Sequence, residues 1–257
     1  MPTAASTPSI LCLAAALALT GCAGAGTGAS FSERDPYEDT NRSFHEFNLA
    51  LDRNVLRPVS QGYDTVTPTL IQHLLGNAFS HLDTVGDFAN YLLQGEMEAA
   101  GTALGRLTVN TILGAGGALD PATEFGLPKE DTDFGVTLGR HGVEEGAYLV
   151  LPFLGPSTTR DLAGRVVDRA FDPTTYIGLG VEGTAVDVTL PASGAVEVID
   201  DRNRNADLID DVLYESEDSY ISLRTIYLQR RDALIAGGDD AGAALPDIFD
   251  DDEAPAN

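Results

Sequence analysis

Several residue patterns in this chain resemble reactive sites, and most lose that reading once their neighbours are considered. Gly178-x-Gly180-x-x-Gly183 matches the dinucleotide-binding fingerprint, with Asp200 and Asp201 at about the right distance beyond it. That fingerprint needs a buried strand ahead of it and a helix behind it. Asp172-Pro173 leaves no room for the strand, and Val186-Asp187-Val188-Thr189-Leu190-Pro191 reads as a poor helix. Gly155-Pro156-Ser157 lacks the second glycine of a nucleophile elbow. His45, His73, His81 and His141 have no metal-ligand spacing, and His45-Glu46 lacks the second histidine of a zincin. Asp131-Thr132-Asp133-Phe134-Gly135 has the start of a calcium loop, but its twelfth position is Gly142 rather than Glu. A helix N-cap is the simpler reading. No enzyme, metal or cofactor is expected from these residues.

Cys22 is different. Ile10–Leu19 is a ten-residue apolar run without charge, the length of a signal-peptide core and about half of what a membrane-spanning helix requires. Directly behind it, Leu19-Thr20-Gly21-Cys22 resembles the lipobox of bacterial lipoproteins, in which the thiol is acylated and the chain is cut before the cysteine. Met1–Ser9 departs from the usual pattern by carrying no Lys or Arg. Cleavage would discard Cys12 and leave Cys22 as a lone thiol, which acylation explains. Two acyl chains suffice for stable anchoring, at about 0.8 kcal/mol per buried methylene. Ala23 follows where an inner-membrane retention signal would place Asp, so the expected destination is the outer membrane.

Composition narrows the partners. With 15 Lys and Arg against 40 Asp and Glu, the net charge is −25. Nucleic acid is excluded, because phosphate binding needs clustered cations. Adsorption to anionic lipid by charge alone is disfavoured too. Membrane association must be hydrophobic or acyl-driven.

The elements that would position any site read as all-α. Residues 1–21 form the signal peptide, 22–34 the lipidated cysteine and a small, Gly-rich tether, 35–238 one domain, and 239–257 an acidic tail with seven acids and no base, expected to be disordered. Asp35-Pro36-Tyr37-Glu38 has the form of a capping box. Phe44, Phe47, Leu51 and Val55 follow at helical spacing until Arg57-Pro58 stops the run. Thr67-Pro68 opens a short helix, Asn77 a longer one ending near Gly95, and Glu96–Leu113 another. Gly101-x-x-x-Gly105 in the last is read as ordinary close packing of helices. Ser157–Phe171 and a C-terminal segment ending at Gly237-Gly238 are helical, whereas 174–200 is ambiguous. Tyr148–Leu154 (YLVLPFL) is continuously apolar and bracketed by Gly142, Gly146 and Gly155. It is either a core strand or a short hairpin over 142–156 that dips into a lipid or pore environment.

The chain resembles the VacJ/MlaA family of outer-membrane lipoproteins. The resemblance rests on DPYEDTNRSFHEFN (35–48), VLRPVSQGY (55–63), NYLLQGE (90–96), RLTVNTILGAGGALD (106–120), FGVTLGRHGV (134–143), YLVLPFLGPSTTRD (148–161) and DSYISLRTIYLQRRDALIAGG (218–238), in family order. Residues 172–217 match poorly, and the absence of Trp leaves any aromatic belt to Tyr and Phe. The resemblance implies a ring of amphipathic helices embedded in the periplasmic leaflet of the outer membrane without spanning it, bound to a trimeric porin. It further implies that stray outer-leaflet phospholipids pass through a central channel to a periplasmic carrier, which maintains lipid asymmetry. Arg106 and Asn110, one turn apart, are candidates for channel lining, with capping of neighbouring backbone the alternative. Gly142, Gly146 and Gly155 are candidate gate hinges. A non-transporting lipoprotein that scaffolds porins is the alternative function.

Overall fold

The computed structural model describes residues 34–174 and 185–237. The signal peptide, Cys22, the tether up to residue 33, the Gly178–Gly183 motif and the acidic tail lie outside the described residues.

The described chain is helical, with one two-stranded antiparallel hairpin. Helix α1 (Glu38–Leu51) passes through a π-helical turn at Asp52–Leu56 into α2 (Arg57–Val66). Long α3 (Thr69–Gln94) turns at Gly95 into α4 (Met97–Ile112). The short α5 (Pro121–Glu124) and α6 (Phe134–Arg140) lead to β1 (Tyr148–Leu151) and β2 (Gly155–Thr158), paired from Tyr148↔Thr158 to Leu151↔Gly155. Then come α7 (Thr159–Phe171), α8 (Ala185–Arg204), α9 (Ala206–Asp210), a second π turn at Asp211–Glu215, and α10 (Ser219–Ala236).

Four local expectations need correction. Pro58 does not stop the first helix. A proline ring clashes with the carbonyl four residues back, and the wider π turn ahead of it, where Arg57 N–H donates to the Asp52 carbonyl, accommodates the ring. Asp35 caps nothing, because α1 begins behind Tyr37 without a side-chain cap and the Asp35 carboxylate is buried on α10. The two helices anticipated across Thr67–Gly95 are one, and Gly76 marks a close approach: a Cβ there would overlap the Arg204 guanidinium. Residues 185–204 are helical despite Pro191, so the poor-helix argument against the glycine fingerprint fails on that side. The end of α8 is held by the buried Arg202–Asp52 pair at 2.8 Å.

The hydrophobic core is small. Tyr148 and Val150 of β1 pack on Tyr220 and Leu228 of α10, and Tyr91 of α3 on Ala100 and Ala103 of α4. Burying a large apolar side chain contributes about 1.5–3 kcal/mol, so ion pairs supply much of the specific contact elsewhere. Arg231 binds Asp133 and Asp161, Arg224 binds Asp35, and Arg202 binds Asp52 and Asp210. The exterior instead carries exposed apolar side chains, among them Phe44, Val59, Leu70, Leu104, Ile112 and Phe125. Among the described residues no helix is long and apolar enough to cross a membrane.

Candidate functional site: a charged cavity beside a latched apolar hairpin

The YLVLPFL run resolves as a hairpin whose base is core and whose tip is exposed. Tyr148 and Val150 are buried, while Phe153 and Leu154 at the tip are 72% and 62% exposed. Two amides seven residues apart on α1 complete the free edge of β1. Asn41 donates to the Tyr148 carbonyl at 3.0 Å and accepts from Val150 N–H at 2.9 Å. Asn48 donates to the Leu151 carbonyl at 2.9 Å and accepts from Phe153 N–H at 2.8 Å. Each side chain thus stands in for a strand residue. Phe47 and Phe153 add an edge-to-face contact with centroids 5.2 Å apart. Sequence reasoning missed both asparagines. The available signal was two amides at heptad spacing on the helix face that also carries His45.

Gly142, Gly146 and Gly155 all take positive φ, at 83°, 73° and 72°. Gly146 is the most constrained, since a Cβ there would lie 2.8 Å from Thr159 Cβ. The three glycines therefore set the turns at the base and tip of the hairpin.

Beneath this lies a cavity of about 1010 Å³, walled by α3, α4, the 126–132 loop, α9 and α10. Its wall carries the cations Arg106, Lys129, Arg140 and Arg230. Facing them are Glu96, Glu98, Glu130 and Asp131. A second chamber of about 330 Å³ lies under the hairpin tip, between α1, β1 and α10, and no Asp, Glu, Lys or Arg lines it. Leu208 and Ile226 line both spaces, so the two share a wall.

Arg106 reaches the polar cavity, whereas Asn110 is not among its lining residues. Both also organise the 120–127 segment. Arg106, 3% exposed, donates to Asp120 at 2.8 Å, to Thr123 at 3.0 Å and to the Leu127 carbonyl at 2.5 Å. Asn110 donates to Asp120 at 2.7 Å and accepts from Ala122 N–H at 3.0 Å. Burial opposes ionisation of Asp120, but hydrogen bonds from Thr123, Arg106 and Asn110 outweigh it and hold its carboxyl at about 2. Gly105 meets Leu127 across the same contact, while Gly101 faces open space.

The carboxylates between α3 and α8 behave in the opposite way. Burial pushes Asp83 up to about 6 and Asp87 up to about 7, with Lys129 opposing. Glu197 rises to about 7 through burial and the nearby Asp83 and Asp201 charges. Asp87 is 5% exposed; one of its oxygens accepts from Thr132 N–H at 3.1 Å and the other has no hydrogen-bond partner. Among the described residues, no group of His, Cys, Asp and Glu is arranged to hold a metal ion. Asp133, the third position of the calcium-like segment, instead caps α6 by accepting from Val136 N–H at 2.8 Å.

Residues 33–234 match the family model described as MlaA lipoprotein. The chain is 34% identical over 241 residues to the intermembrane phospholipid transport system lipoprotein MlaA of Haemophilus influenzae, covering 91% of this chain and 94% of that one. It is 33% identical over 227 residues to the protein of the same description in Escherichia coli K12, covering 86% of each. A solved chain reported under "Structural basis for maintenance of bacterial outer membrane lipid asymmetry" superposes with a TM-score of 0.68 at 31% identity, covering 78% of this chain and 98% of that one.

Proposed function

The chain belongs to the MlaA lipoprotein family, and from that premise we propose that it is an outer-membrane lipoprotein that removes phospholipids from the outer leaflet and so maintains lipid asymmetry. The observation that carries this reading is the pairing of a charged cavity inside with apolar side chains outside. A lipid crossing an apolar layer needs polar company for its head group, and an exterior of that kind is stable against acyl chains rather than water. The body rests in the periplasmic leaflet, held by acyl chains on Cys22, with helices that wrap the cavity as a ring. A trimeric porin covers part of the outer face, and a periplasmic carrier receives the lipid. Arg106 contributes to the lining, and Asn110 holds the segment against which Arg106 is braced.

The hairpin acts as the gate, with Gly142, Gly146 and Gly155 as its hinges and Asn48 as the latch at its tip. Asn48→Ala removes both tip hydrogen bonds and leaves the buried Asn41 pair intact. The expected result is altered lipid flux with little change in thermal midpoint; unchanged flux would remove the gate. For the function itself, a deletion strain should accumulate outer-leaflet phospholipid and become detergent-sensitive. An intact barrier in that strain would refute the transport reading.

A further inference from the structure

Of the four cations on the cavity wall, three are already engaged: Arg106 by Asp120, Lys129 by Asp131 and Arg140 by Glu96. Among the described residues Arg230 has neither an ion-pair nor a hydrogen-bond partner. A guanidinium left open in a charged cavity is matched in geometry and charge to a phosphodiester, which it grips through two parallel N–H donors. Its place on α10 adds a second constraint. Ile226, one turn earlier, lines both the polar cavity and the apolar chamber, and Leu223, about 10 Å before Arg230 along the helix axis, lines the apolar chamber alone. One helix therefore carries an anion-binding group and an apolar wall in sequence. The apolar chamber and the polar one meet at the wall formed by Leu208 and Ile226.

We propose that Arg230 binds the phosphate of a phospholipid in transit while one of its acyl chains lies in the chamber under the hairpin tip, against Leu213, Leu223 and Ile226. This rests on the lipid-transport reading and names its binding site. The ligand is a lipid rather than free phosphate, because a phosphate ion would leave the uncharged chamber without an occupant. Opening of the hairpin would release the chain, since Phe153 and Leu154 form part of the same wall.

The test uses the full-length acylated protein in detergent micelles with phosphatidylethanolamine carrying a photoactivatable diazirine at the end of one acyl chain. Crosslinks are expected at Leu213, Leu223 or Phe153. Arg230→Gln should lower their yield about tenfold, as loss of a charged hydrogen bond does, and Arg230→Lys should restore most of it. Inorganic phosphate alone should not compete. Arg230 is exposed and unpaired, so the variants should keep the wild-type thermal midpoint. Crosslinks that avoid the chamber, unchanged yield in Arg230→Gln, or competition by inorganic phosphate would each overturn the proposal. Should the wild-type gene still restore the barrier of the deletion strain, only this site would fall and the transport reading would stand.

Discussion

Two groups of desolvated acids in this protein meet opposite fates. Beside α10, Asp133 is half-buried, and its carboxyl is held below the usual range: desolvation would raise it, but the Arg231 hydrogen bond and charge overcome that. Asp161 shares the same guanidinium and accepts from Tyr227. Between α3 and α8, Asp87 is buried, Glu197 half-buried and Asp83 exposed, with Lys129, Arg169 and further carboxylates nearby, and desolvation pushes all three up. Desolvation is common to both groups. What separates them is a forked cation placed within hydrogen-bonding reach, which turns a desolvation cost into a fixed contact.

The largest break in this contrast should come from Arg231→Leu. It leaves Asp133 without its cation and Asp161 with only Arg160, 3.5 Å away, and loss of one partner of a buried pair costs about 3–5 kcal/mol. The urea midpoint should fall accordingly; an unchanged midpoint would mean that the cation does not govern the α10 group. A smaller effect is expected from pH. Asp87 and Glu197 have folded values near 7, well above those of the unfolded chain, so the native state holds more protons and stability should rise as pH falls from 8 towards 7. Below about 6.5, His45 and His81 oppose this, because burial lowers both and the unfolded chain gains protons first. A thermal midpoint that falls between pH 8 and 7 would contradict the assignment. The smallest effect is expected from Asp87→Asn, which removes the buried charge and should raise the midpoint at pH 8 by about 2–4 °C. The gain should begin to shrink below about pH 7 and vanish only at about pH 4, where the carboxyl of the unfolded chain is protonated too; an equal gain across that range would point to packing instead.

The same contrast explains what was legible in the sequence. Helices with an apolar stripe were readable, as α4 and α7 show, and so was the glycine stop of α10 at Gly237, because periodicity and C-cap chemistry are local. The hairpin was narrowed to two readings by its glycines, and only pairing with β2 and α1 shows it to be a hairpin with a buried base. Asp35 was misread because a capping pattern and a long-range ion pair look alike along a chain: its partner Arg224 lies 189 residues away. The charged cavity was invisible for the same reason, since its wall is assembled from segments distant in sequence. Arg106 and Asn110 could be singled out as polar groups on an apolar helix, but Arg230 sits next to Arg231 in one run and nothing local distinguishes a buried staple from an open guanidinium.

The amides of Asn41 and Asn48 carry one more consequence. A two-stranded ribbon ordinarily offers its outer margin as a template on which another chain can add a strand and begin to aggregate. Here that margin is sealed from within by a helix, without a third strand. The seal is made by side chains and lies on the opposite edge of β1 from its main-chain ladder with β2. The hairpin is thereby kept from recruiting a strand of another copy.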